Sequence, residues 1–249
     1  MIPRALLQLF SVLLLVLSTW WMAQLHSEAR AVDALVSLVE NEQPGLDQIR
    51  ELAGVLGDFS AMKKNWIEEH YTKIKNSRVV GTNALTFAVF GIGACGWASE
   101  LSALCFRRLG YETRLVQILD SEERAIHIVM EVSLESGERV IFDPLLNHLH
   151  LDAHTRRPQS AATLAREWSS ICPDGASDEI CQYSFKHGIR YTNWPKFGRF
   201  QSIAQGVFES LGVESLRTLW LSSRLYISRF VWVMGLFALV ALNLRGRLR

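Results

Sequence analysis

The chain has 249 residues, enough for one ordinary domain with additions. Its formal net charge is +1, so no broad electrostatic attraction to nucleic acid is expected, and nucleic acid is set aside as a partner. Hydrophobic residues make up 49% of the chain, high for a soluble enzyme, and much of the excess lies at the two ends.

Residues 5–23 are almost wholly apolar and carry no charge. A helix of that length, at ~1.5 Å per residue, spans about 28 Å, close to the hydrocarbon thickness of a bilayer. Trp20 and Trp21 close the run as an interfacial aromatic pair would. A cleaved signal peptide is the competing reading, with Ala29-Arg30-Ala31 as its cleavage site. The long run and a charged leader of one residue, Arg4, favour an uncleaved anchor.

Residues 28–40 place Val32, Leu35, Val36 and Val39 at helical spacing, and Gln43-Pro44-Gly45 breaks the pattern. Residues 46–56 and 59–75 read as two further helices, the second carrying Trp66 and Tyr71. Residues 77–93 read as a loop and an apolar stretch. Residues 95–109 form a helix with Ala98, Leu101, Cys105 and Leu109 in one stripe and Gly110 as its stop. Cys105 lies on the apolar side and reads as a small buried hydrophobe. Arg107 and Arg108 sit at the helix C-terminus, where the dipole favours them.

Three strands are expected at 111–120, 126–134 and 139–143. Beyond them His148, His150, Asp152 and His154 alternate with Leu149, Leu151 and Ala153. On a strand the four would share one side and offer a metal site, but a half-exposed strand with outward polar residues is the preferred reading, and no metal or other cofactor is assigned. Residues 161–168 read as a short helix. Cys172 and Cys181 flank a polar loop and suit a disulfide in an oxidising compartment. His187 and Trp194 fall in turn-rich sequence and need only surface roles. Residues 201–221 are amphipathic and lead toward a second membrane span at 225–244, which ends in Arg245, Arg247 and Arg249. Those arginines and Arg4 predict that both termini are cytoplasmic, with residues 24–224 outside, in a periplasmic or extracellular space.

Chemistry concentrates on three residues. Cys95 stands at a helix start among Gly93 and Gly96, His127 follows on a strand, and Asp143 ends the next strand. A thiol attacks as its thiolate, and a helix N-terminus and a nearby imidazolium both favour that form. The Cys95 amide would face the oxyanion of an attacked carbonyl. The hairpin Glu135-Ser136-Gly137 suits a three-residue loop with Gly137 left-handed. That loop sets Met130 against Phe142 and Val132 against Val140 on one apolar face, and puts Asp143 opposite Val129 and diagonal to His127 on the other. Diagonal neighbours lie about 7–8 Å apart at the backbone, within reach of a His–Asp hydrogen bond. A two-residue loop would separate the two onto opposite faces. The three together make a nucleophile, a base and the base's orienter.

The run Gly-Ala-Cys-Gly-Trp-Ala-Ser-Glu-Leu-Ser-Ala-Leu-Cys-Phe-Arg-Arg-Leu-Gly-Tyr-Glu-Thr-Arg-Leu-Val, with His-Ile-Val-Met-Glu-Val and Phe-Asp-Pro after it, resembles the transglutaminase-like superfamily, which shares its papain-like core with cysteine proteases. The resemblance covers about a quarter of the chain, residues 91–147. By it Cys95 is the nucleophile, His127 the base and Asp143 the orienter. Val129 stands where the family often carries an aromatic, and Trp97 lies two places after the cysteine, where some members carry Trp immediately after it. Trp66 and Tyr71 are the candidates for a second oxyanion donor.

The expected fold is therefore α+β: a transglutaminase-like core with the nucleophile helix packed on a small antiparallel sheet, flanked by transmembrane helices. The expected division is an anchor at 1–24, a helical section at 25–76, the core at 77–160, an extension at 161–222 and a second transmembrane helix at 223–245. The resemblance implies a membrane-anchored cysteine peptidase or acyltransferase acting on a peptide or protein amide. The rival readings are a non-catalytic membrane-tethered binding module and an accessory factor of cell-envelope or exopolysaccharide assembly.

Overall fold

The computed structural model describes residues 4–39, 44–57, 95–172, 181–192, 194–210 and 216–247. The expected helix at 59–75, the stretch at 77–93 and the side chains of Trp66 and Tyr71 lie outside them. The chain divides into two compact units, residues 1–30 with 220–249, and residues 31–219.

The first unit holds most of helix α1 (Arg4–Val36) and of the last helix, α6 (Leu216–Arg247), which follows α5 (Gln201–Ser210) in the chain. Both are long and apolar enough to cross a membrane, over Ala5–Val36 and Tyr226–Asn243. Gln8 donates to Asn243 at 3.1 Å, the Trp232 indole donates to Thr19 at 3.1 Å, and Gly235 lies against Leu15. Numbers rise along one helix as they fall along the other, so the pair is antiparallel. Small residues line the pairing: Ser11, Ser18 and Ser228 are buried, while Leu9, Phe10, Val16, Phe230 and Phe237 are exposed. The hydroxyls of Ser11 and Ser18 bond back to the carbonyls of Leu7 and Leu14. The expected boundary at residue 24 falls inside α1, which runs unbroken from Arg4 to Val36.

In the second unit, the end of α1 buries Val32 and Val36, and α2 (residues 46–57) buries Ile49, Leu52 and Leu56. Helix α3 (Cys95–Arg108) ends in a Schellman cap. Tyr111 N–H bonds to Phe106 O and Gly110 N–H to Arg107 O, with Gly110 at φ +95°. The Tyr111 and Phe106 rings meet edge-on across the cap, and the Tyr111 hydroxyl bonds to Gln48 at 2.7 Å, fixing α2 to the start of the sheet.

The sheet is antiparallel and five-stranded, in the order β4-β3-β2-β1-β5, from β1 (Glu112–Leu119), β2 (Ala125–Ser133), β3 (Arg139–Asp143), β4 (His148–Leu149) and β5 (Ile189–Arg190). Its register sets Met130 opposite Phe142 and Val132 opposite Val140, as the hairpin rule requires. Leu134 N–H bonds to Glu138 O, and Gly137 sits at φ +83°. One sheet face, with Met130, Val132 and Phe142, packs against α3, where the Phe106 and Phe142 rings meet and Ser99 donates to Ile128 O at 2.8 Å. The other face, with Val116, Ile118, Val129 and Ile141, packs against α4 (Ala161–Ile171) and Phe185 of a 3-10 turn. The expected extension beginning at residue 161 is thus a layer of the core.

Helix α4 is seated by two polar contacts. Ser160 caps it by accepting from Thr163 N–H, and the buried Glu131 carboxylate accepts from Ala161 N–H at 2.9 Å. Glu131 also accepts from the Tyr191 hydroxyl at 3.0 Å.

Candidate functional site

The pairing of β2 with β1 slips by one residue at its entry, so that Ile118 faces His127 while Leu119 faces Ala125. The extra residue, Ile126, forms a bulge immediately before His127. Bulges re-aim the next side chain and are common beside active sites. On the next strand Asp143 ends β3 and is followed by Pro144, which cannot continue the ladder.

His127 and Asp143 are both buried, at 1% and 2% exposure, and His127 Nε2 lies 2.6 Å from Asp143 Oδ2. The second carboxylate oxygen accepts from the amides of Leu145 at 2.9 Å and Leu146 at 3.2 Å. The turn after β3 thus fixes the carboxylate, and the carboxylate fixes the imidazole. A close packing of glycine holds that turn in place: a Cβ at Gly57, at the end of α2, would overlap the Asn147 carboxamide.

With Nε2 committed to Asp143, Nδ1 is the nitrogen left for chemistry. It is buried and makes no hydrogen bond within ordinary limits. The thiol of Cys95, at the start of α3, interacts with this imidazole. Burial pushes the Cys95 thiol up, but the His127 imidazole and the amides of Ile128 and Gly96 outweigh it, and the net shift is downward. Burial likewise disfavours a charged His127, but Asp143 and then Cys95 overcome it and raise His127 from 6.5 to about 9. The two shifts run in the directions of a thiolate–imidazolium pair. Cys105, ten residues on along the same helix, is the contrast: fully buried without a cationic partner, it is pushed up to about 12.

A residue that sequence reasoning missed completes the surroundings. The Tyr183 ring stacks on the His127 imidazole, with centroids 3.8 Å apart and planes 9° from parallel. Its segment is anchored by the Cys172–Cys181 disulfide, the pairing expected from sequence. The proximity of Tyr183 to that bridge was the only local signal for it.

The alternating histidines do not form one row. Only His148–Leu149 is strand, with His148 opposite Asp143. His150 is buried against Trp168 and Phe185, and burial and then His148 lower it to about 3. Asp152 turns away to accept from the amides of His154 and Thr155. The tract fails as a continuous strand because that Asp-capped turn interrupts it. Among the described residues no group of three or more His, Cys, Asp or Glu is arranged to hold a metal. His187 is exposed on its 3-10 turn, whereas Trp194 is not a plain surface residue: it packs on the Phe197 and Phe208 rings.

No protein-family model, curated protein or solved structure matches this chain.

Proposed function

We infer that this protein is a membrane-anchored cysteine enzyme with a transglutaminase-like core, in which Cys95 attacks an amide or ester carbonyl. The observation that carries the reading is the buried 2.6 Å contact between His127 Nε2 and Asp143, which leaves Nδ1 for the Cys95 thiol. The Cys95 sulfur adds to the carbonyl carbon, the carbonyl oxygen becomes an oxyanion, and the N–H groups at the start of α3 are the donors nearest to hand. The His127 imidazolium gives its proton to the leaving amine, and the C–N bond breaks to leave a thioester on Cys95. His127, now neutral, takes a proton from water or from an acceptor amine. The attack of that nucleophile releases the acid or the transferred amide and restores the thiol pair. Hydrolysis of a peptide bond is the preferred outcome, and no step calls for a cofactor.

Both termini are placed in the cytoplasm and residues 24–224 outside the membrane. The basic C-terminal tail and the Cys172–Cys181 disulfide support this, since such bridges persist in oxidising compartments.

An electrophilic, thiol-directed peptide probe tests the chemistry. Cys95 should label much faster than a free thiol, Cys95→Ala should abolish labelling, and His127→Ala should slow it to the rate of an ordinary cysteine. An unchanged rate in His127→Ala would remove the mechanism. A reporter fused after Arg249 tests the topology, and an external signal would overturn it.

A further inference from the structure

We propose that Tyr183 is a positioning residue for the His127 base, and that the Cys172–Cys181 disulfide holds it there, so that the reactivity of Cys95 depends on the bridge being closed. This rests on the reading of Cys95 as nucleophile and His127 as base.

The geometry is specific. His127 is fixed at one edge by Asp143 Oδ2, and one face of its ring is covered by Tyr183 at 3.8 Å, nearly parallel. That bond fixes the Nε2 edge but leaves the tilt of the ring plane about it unset. A flat aromatic on its face removes that freedom and sets the direction of Nδ1. The face of a phenol ring also carries negative potential, which favours the imidazolium over the neutral ring. Tyr183 belongs to no strand or helix: it lies in an irregular stretch two residues past Cys181 and two before the turn Phe185–His187, with its ring packed on the edge of the core cluster of that sheet face. Two fastenings hold that stretch. On one side Cys181 is bonded to Cys172, the C-cap of α4, and on the other Phe185 is buried against Trp168 of the same helix. Breaking the bridge removes the covalent fastening and leaves Tyr183 to Phe185 and to packing at the edge of the core.

Among the described residues the charged and titratable groups facing the imidazole are Asp143 from β3, Cys95 from α3 and Tyr183 itself, with His148 and His150 beyond Asp143. On the β1 side the neighbour is the apolar Ile118. Tyr183 stays a neutral phenol in this setting, since burial and then the negative charges of Cys95 and Asp143 push its pKa up. Its hydroxyl is therefore not required, and its ring is.

The test is the pH profile of Cys95 alkylation by iodoacetamide, with the modified residue identified by mass spectrometry, in the full-length protein in detergent. Tyr183→Phe should keep the parent profile. Tyr183→Ala should shift the inflection upward by roughly half to one pH unit and slow alkylation at neutral pH about three- to tenfold, as expected for loss of one desolvated cation–π contact. Cys172→Ser/Cys181→Ser should fall to the Tyr183→Ala level. A Tyr183→Leu variant, which fills the space without a π face, separates packing from the ring's own contribution and should also be slow. If parent and His127→Ala share one profile, the enzyme reading itself fails. If those two differ while Tyr183→Ala or the bridge-free variant matches the parent, the enzyme reading stands and this inference is overturned.

Discussion

Replacing Asp143 by Asn removes one charge from the site while keeping its shape. The raised ionisation of His127, from 6.5 to about 9, corresponds to about 3 kcal/mol in favour of the imidazolium, at about 1.4 kcal/mol per power of ten. Asp143 is the largest favourable contributor, through a buried contact of 2.6 Å. A hydrogen bond to a charged partner is worth about 1.5–3 kcal/mol, so Asp143→Asn should cost Cys95 a factor of roughly ten to one hundred in thiolate at neutral pH. The asparagine has two poor choices. If its oxygen stays with the amides of Leu145 and Leu146, its NH2 faces Nε2 and drives the imidazole proton onto Nδ1, where it cannot accept from the thiol. If the group flips, the turn loses its acceptor. Alkylation of Cys95 followed against pH is the assay, and an Asn variant with the parent rate and inflection would refute the reasoning. The same substitution has a signature in stability. A His raised in the folded state contributes stability that is full below about pH 6.5 and is lost as pH rises toward about 9. In the parent, chemical denaturation should therefore show falling stability across that window, and in Asp143→Asn the decline should shift to lower pH.

Other substitutions test the scaffold. Glu131→Ala leaves the Ala161 amide and the Tyr191 hydroxyl without their buried acceptor and should lower unfolding free energy by about 2–4 kcal/mol in denaturant titration, with the His127–Asp143 contact untouched. Gly57→Ala should cost about 1–2 kcal/mol through overlap with Asn147, and adding Asn147→Gly, which removes the carboxamide and suits the φ of +49° there, should recover most of it in a double-mutant cycle. Gly137→Val should cost about 1–2 kcal/mol at its φ of +83°, and Gly137→Asn distinctly less, as read by the denaturation midpoint.

What was legible in the sequence was what short-range rules govern. The hairpin loop, its left-handed Gly137 and the Met130–Phe142 register follow from turn chemistry and strand alternation, and they bring His127 and Asp143 to one face. Gly110 as helix stop and Cys172 with Cys181 as a pair obey similarly local constraints. Tyr183 was not legible, because it reaches His127 across 56 positions through a bridge and a turn rather than through a ladder. Glu131 carried a signal that went unused: a carboxylate between the apolar Met130 and Val132 on a buried strand needs a buried partner, and the N-terminus of α4 is one. The histidine tract misled because alternation alone does not reveal an Asp-capped turn.

The antiparallel pairing of α1 with α6 has a consequence for the chain between them. Residues 31–219 leave and return through one joined pair, so while that pair holds they are a closed loop even when unfolded. Cross-linking a loop of that length removes at most about 5 kcal/mol of entropy from the unfolded chain. The helix pair thus acts as a non-covalent staple on the unit it brackets. That unit, cut free of its helices, should be less stable although none of its own contacts has been altered.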